Sequence, residues 1–193
     1  MNRAPGIDDP RPLTGEPMAI DLLNTRWVDA TGPRDLLDST AGLAVWLKGW
    51  STRLPATGPA PSADRETLEH LLRVREALAA LADTPLSPTP EAIAELNAVL
   101  ARGRVRRSLT PDGPKDVIEV DSPSWLPAWT AAEDWLRLLV DRPERIRPCA
   151  HPDCVLHFHD TSKNGTRRWC SMAGCGNRAK ARRHHARRRP ANE

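Results

Sequence analysis

Four cysteines carry the chemistry this sequence states most plainly: Cys149, Cys154, Cys170 and Cys175. They are the only cysteines in 193 residues, and they follow the pattern C-x4-C-x15-C-x4-C. Two tight turns, each bearing a thiolate pair, can close a tetrahedron around one Zn²⁺. Four thiolates leave no position open to water, so the ion is expected to hold structure and do no catalysis. Disulfides are the competing reading, with three connectivities for four cysteines. They require an oxidising compartment, and residues 1–21 show no apolar run of the signal-peptide kind. Reduced thiols and a cytoplasmic location are therefore expected. His151 lies within the first pair, and His157 and His159 between the two pairs. With four thiolates available, they read as outer or surface groups.

Charge is the second chemistry. Residues 145–193 hold 12 Lys and Arg against 3 Asp and Glu, a net +9, whereas residues 1–144 carry −6. An Arg-rich composition explains the choice of Arg over Lys, but not why one end is basic and the other acidic. Candidate contacts to a polyanion are Lys163, Arg167 and Arg168 before the second pair, and Arg178, Lys180, Arg182, Arg183, Arg187 and Arg188 after it. A helix that basic repels itself through like charges one turn apart, and a nucleic acid would neutralise it. The bland alternative is a solvated tail past Arg183. Arg178 and Asn177 divide between a structural role beside the metal and a nucleic-acid role. In the acidic part, Asp21 and Asn24 flank an apolar face, either as buried polar groups that fix a loop or as ligand contacts.

The C-terminal residues resemble the CGNR zinc finger. The resemblance rests on the two cysteine pairs, on Phe158-His159-Asp160 to Gly165, on Arg167-Arg168-Trp169-Cys170-Ser-Met172, and on Cys175-Gly-Asn-Arg178-x-Lys180. Gly15-Glu-Pro-Met-Ala-Ile-Asp21-Leu-Leu-Asn24-Thr25 is similar to the start of the ABATE domain, described as a stress-induced transcription regulator. The resemblance implies regulation by DNA binding.

The positioning elements follow from apolar spacing. Residues 1–12 read as a mobile tail, 13–142 as an ABATE-like helical domain, and 143–193 as the zinc module. Ile20, Leu23 and Trp27 predict a helix over Met18–Val28, and Thr31-Gly-Pro33 a turn. Leu43, Trp46, Leu47 and Trp50 form a helical stripe behind Asp38-Ser39-Thr40. Ser62 caps a predicted helix from Ala63 to Ala82, faced by Leu71, Val74, Leu78 and Leu81, and Pro85 and Pro88 stop it. Thr89-Pro90 opens the next, with Ile93, Leu96 and Leu100 inward. Arg104–Leu109 and Val117–Val120 predict a hairpin with a turn lengthened by Pro114 and Lys115. Trp125, Trp129 and Trp135 line a last helix to about Val140. In the module, Val155–Phe158 and Thr166–Trp169 are expected to pair, and a helix to run from Asn177 to about Arg188. The fold class is α+β: a mostly helical N-terminal domain with one β-hairpin, plus a small treble-clef-like zinc module ending in a basic helix.

The expected function is a zinc-dependent, DNA-binding transcriptional regulator, with the N-terminal domain sensing or dimerising; a homodimer is compatible with the sequence. An RNA-binding accessory protein is the alternative. No run of 18 apolar residues suggests a membrane span. An enzyme targeted by the finger is disfavoured. The body has one histidine, His70, and no nucleophile elbow, phosphate loop or dinucleotide fingerprint.

Overall fold

The structure is a computed structural model that describes residues 9–55, 58–83 and 88–188. The elements run α1 (Met18–Leu23), β1 (Arg26–Asp29), β2 (Gly32–Asp35), α2 (Thr40–Trp50), α3 (Arg65–Asp83), α4 (Pro90–Leu100), β3 (Gly103–Thr110), β4 (Gly113–Val120), α5 (Leu126–Asp141), β5 (Ile146–Pro148), β6 (His157–His159) and α6 (Asn177–Arg188). The fold is α+β, with antiparallel pairs β1–β2, β3–β4 and β5–β6. Among the described residues no helix is long and apolar enough to cross a membrane.

The first helix is shorter than its apolar spacing predicts. Thr25 Oγ1 donates to the Leu22 carbonyl at 2.6 Å, and the Thr25 carbonyl accepts from Leu36 N at 2.8 Å, so the chain leaves the helix at Asn24. Thr25, Trp27 and Val28 are residues that favour strand. Gly32, at φ +123°, closes a two-residue turn that returns β2 along β1. Trp27 is still buried, but from a strand.

Other departures have equally local causes. Asp64, not Ser62, caps α3, accepting from Thr67 N at 2.9 Å. Ile93 points outward, 41 % exposed, while Val99 takes the inner face of α4. Thr110 pairs with Gly113, so the second hairpin has a tight two-residue turn and Pro114 lies in the strand. The expected caps Ser39 and Thr89 are in place, accepting from Gly42 N and Ala92 N at 3.3 Å each. The stop at Pro85 and the tail residues 1–8 lie outside the described residues.

One core joins α1, α2, α3, α4 and α5 with Ile146, Leu156 and Phe158 of the C-terminal part. Trp46 and Trp135 are among its largest side chains. Helix α1 lies inside, against α3, α5 and β6. Its free N–H at Ala19 is taken by Asp134 of α5 at 3.0 Å.

Asp21 is 1 % exposed. Its Oδ1 accepts from Arg11 Nη1 at 2.9 Å and from the indole N–H groups of Trp46 and Trp50 at 2.9 and 3.1 Å. Its Oδ2 accepts from Gly15 N at 3.3 Å. Arg11, placed in the tail by sequence, is 6 % exposed and also pairs with Asp9 at 2.7 Å. The described part of that tail is thus tied down by a carboxylate it neutralises. Arg75 does comparable work across the core, binding Asp35 at 2.6 and 2.8 Å and Thr25 Oγ1 at 2.8 Å.

A buried polar group left unpaired costs about 1–3 kcal/mol. Asp21→Ala should therefore lower the stability read by urea unfolding by about that amount or more, since two buried indoles and one arm of Arg11 lose their acceptor while Arg11 keeps Asp9. A loss under about 1 kcal/mol, the scale of an exposed pair, would contradict this assignment.

Candidate metal centre

The four cysteine Sγ atoms lie within 4.8 Å of one another, and no disulfide links them. Cys154 Sγ is 3.8 Å from Cys170 Sγ, which is 3.6 Å from Cys175 Sγ. Zn–S bonds of about 2.3 Å give a tetrahedron with edges of about 3.8 Å. The donor set and its spacing therefore fit one structural zinc ion. Cys149, Cys170 and Cys175 are buried and Cys154 is half-buried.

The backbone converges on the site from both sides. Ala150 N donates to the Arg168 carbonyl at 2.8 Å, tying the first cysteine turn to the segment before Cys170. Cys170 N donates to Cys149 Sγ at 3.4 Å. The second turn is a π-helical turn, Met172–Gly176, which feeds directly into α6. Arg178, the second residue of that helix, donates to Cys175 Sγ at 3.0 Å. The arginine offsets the net −2 of a zinc tetrathiolate, and the thiolate in turn pushes the Arg178 pKa up.

Without a cation the thiols can only share protons. A hydrogen bond from Cys170 holds Cys154 down to about 5, and the same contact pushes Cys170 up. Burial pushes Cys175 up as well, against the hydrogen bond from Arg178. A divalent ion replaces these shared protons with one charge at the centre. The histidines stay outside the ligand set: His151 is buried, and its Nδ1 accepts from Asp153 N at 3.3 Å.

A second node, unforeseen in the sequence, folds the loop before Cys170. Asp160 is 1 % exposed and accepts from Ser162 N at 2.9 Å, Ser162 Oγ at 2.6 Å and Arg167 N at 3.0 Å. Burial alone would push its carboxyl up, but the Ser162 and Arg167 hydrogen bonds and the Arg145 charge outweigh it, and the net shift is downward. These bonds occupy the N–H groups that a returning strand would need. Accordingly Thr166–Trp169 does not pair with the strand after Cys154; β5 does, with Ile146 opposite His159 and Pro148 opposite His157. Arg145 Nη1 bonds the carbonyls of Asp160 and Ser162 at 2.9 and 2.6 Å, closing the loop from the other side.

The predicted cation set divides. Lys163, Arg168, Lys180 and Arg182 are exposed. Arg182 reaches Asp153 at 3.6 Å, and Arg168 lies 5.2 Å over the Trp169 ring. Arg167, expected as a phosphate contact, is half-buried with its guanidinium engaged within the protein. It sits 4.4 Å over the Phe158 ring, donates to the Trp169 carbonyl at 3.0 Å and the Cys170 carbonyl, and reaches Glu16 at 3.4 Å. Arg178 serves the metal thiolate. The side chains of Arg183, Arg187 and Arg188 lie outside the described residues, though α6 runs to Arg188.

Asp21 and Asn24 are interior ties in the structure, not open ligand groups. Asn24 Nδ2 donates to the His157 carbonyl at 2.9 Å, and its Oδ1 accepts from His157 N at 2.9 Å. Glu16 Oε2 adds a bond from His159 N at 2.9 Å. The opening of the N-terminal part is thus the seat on which β6 rests. The spacing Asp160-x-Ser162 is a readable turn signal. Glu16 carries no comparable signal, because its partner is 143 residues away.

Zinc content measured by inductively coupled plasma mass spectrometry should be one ion per chain. Cys170→Ser should lose it, and residues 145–188 should then be cut by a protease that spares them in the wild type. A chain that keeps that protection without metal would show that zinc is not what holds the module.

The comparisons with known proteins agree with this geometry. The family model "CGNR zinc finger" matches residues 145–188. The ABATE model, described as "Putative stress-induced transcription regulator", matches residues 16–142. No curated protein matches the chain. The two matched segments meet at the Asn24–His157 contact, and the second holds all four thiolates. The chain belongs to the ABATE family, and it carries a CGNR zinc finger after that domain.

Proposed function

We propose that the protein is a DNA-binding transcriptional regulator whose zinc module contacts the phosphate backbone. The observation that carries this reading is the separation of charge between the two parts, with basic side chains exposed on the module. In the module, Lys163, Arg168 and Lys180 are exposed and make no ion pair among the described residues. The body carries −6 and the residues from 145 onward +9, so the body repels a polyanion while the module attracts it.

Cysteine turn, π-helical turn and basic helix form a treble-clef-like order in which zinc fixes the start of α6. Arg178 ties the first turn of that helix to the Cys175 thiolate, and Lys180 and Arg182 are exposed beside it. In this reading the metal orients the helix and does no chemistry, and the protein is not an enzyme. Phosphate contacts position a protein without reading sequence, so operator choice needs base contacts or DNA shape in addition. Dimerisation would double the contacts and match a two-fold operator.

Binding to duplex DNA, followed by fluorescence anisotropy across a salt series, tests the proposal. About six phosphate contacts give a log–log slope of about −5. Lys163→Glu with Lys180→Glu should flatten the slope by about 2, and a chelator should abolish binding. Absent binding at low salt, or binding indifferent to chelation, would overturn it, as would displacement by RNA at far lower concentration than by DNA.

A further inference from the structure

A cleft of about 610 Å³ lies where the β1–β2 hairpin, α3 and the zinc module meet. We propose that it is a binding site for an uncharged, largely apolar small molecule, and that its occupancy bears on how the zinc module sits. The second half rests on the regulatory reading above; the site itself does not.

The walls come from both parts of the chain. Leu23, Trp27 and Val28 supply one side, Ala79 of α3 the floor, and Val155 and His157 the side that belongs to the module. The volume is in the range of small-molecule pockets, roughly 300–1,000 Å³. Val28 and Val155 are 39 % and 53 % exposed, so the cleft presents aliphatic surface that folding leaves wet.

The charged residues around it argue for a neutral occupant. Arg26 is bound to Asp35 and Glu76, Arg34 to Asp29, and Asp35 also to Arg75. These pairs engage the cations of the lining. Asp38 at the exposed rim adds a negative charge that opposes an anionic group. The exposed lining is thus aliphatic surface beside paired charges, and an uncharged, largely apolar molecule answers that set.

Position gives the site its consequence. The backbone of His157 is the group clamped by Asn24, and Val155 follows the metal ligand Cys154 by one residue. A ligand pressed between Leu23 and Val155 touches the body and the module at once. Its binding energy therefore differs between seated and unseated states of the module, which is the condition for coupling two sites.

Nile red, a neutral apolar dye, is the probe. Titrated into the zinc-loaded full chain, it should show blue-shifted emission that saturates at one dye per chain. Val28→Arg and Val155→Arg, each on an exposed wall position, should each weaken the dye by about ten-fold or more, because a guanidinium is forced against an apolar ligand. Both should keep their zinc and their thermal unfolding midpoint. Leu109→Arg, at an 84 % exposed position on the β3–β4 hairpin, should leave dye affinity unchanged. Bound dye should also slow hydrogen exchange at the His157 amide. Dye binding that ignores both valine variants, or that is lost in Leu109→Arg, overturns the site. Specific dye binding with no change in exchange at His157 overturns the coupling. Dye binding in the cleft without DNA binding in the salt series would fail the regulatory reading and leave the site standing.

Discussion

Helix α1 has six residues, and all six are buried. So short a helix has no stability of its own in water; it exists because other elements satisfy its polar groups and bury its side chains. Three outside groups do the polar part. Asp134 takes the Ala19 N–H, Arg11 with two tryptophans takes the Asp21 carboxylate, and the backbone of His157 takes the Asn24 amide. Each comes from a different part of the chain. A buried polar group left unpaired costs about 1–3 kcal/mol, so these bonds fix where the N-terminal segment, α5 and β6 must lie.

The zinc module depends on the same seat. A stretch of some 45 residues cannot build an adequate core of its own, and here it has two supports. Zinc closes the four thiolates, while Ile146, Leu156 and Phe158 enter the core of the N-terminal part. Metal and body thus stabilise one another through β6, and the boundary that charge and composition draw near residue 143 is not a boundary in packing. The cations follow a different logic. Arg145 is turned to module carbonyls and to Asp160, and Arg167 to module carbonyls and to Glu16 of the N-terminal part. Among the described residues, Lys163, Arg168, Lys180 and Arg182 lie exposed, with Arg178 turned to Cys175 beside them.

Much of this could be read from sequence where the determinant is local. The cysteine spacing alone specifies the metal, because ligand identity and turn length are short-range properties. Helices α2 to α5 follow from apolar stripes and from the caps Ser39 and Thr89. What could not be read was settled at long range. Trp27 suits a helical face by spacing, yet Thr25 and the Leu36 N–H turn it into a strand. Arg167 looks like any surface arginine until Phe158 and Glu16 are placed beside it. Asn24 reads equally as a ligand contact or a core amide, and only the position of His157, 133 residues on, decides. The first strand of the module was missed because β5 is three residues long and carries Pro148.

The central claim is that zinc and the N-terminal seat form one packed unit. The most direct test is hydrogen exchange of the full chain, followed residue by residue, with zinc bound and after chelation. The account predicts that the amides of His157 and His159 lose protection together with those of Asp21 and Asn24 in α1 and its cap. Loss confined to residues 145–188, with α1 as protected as before, would contradict it and make the zinc finger an independent module on an indifferent body.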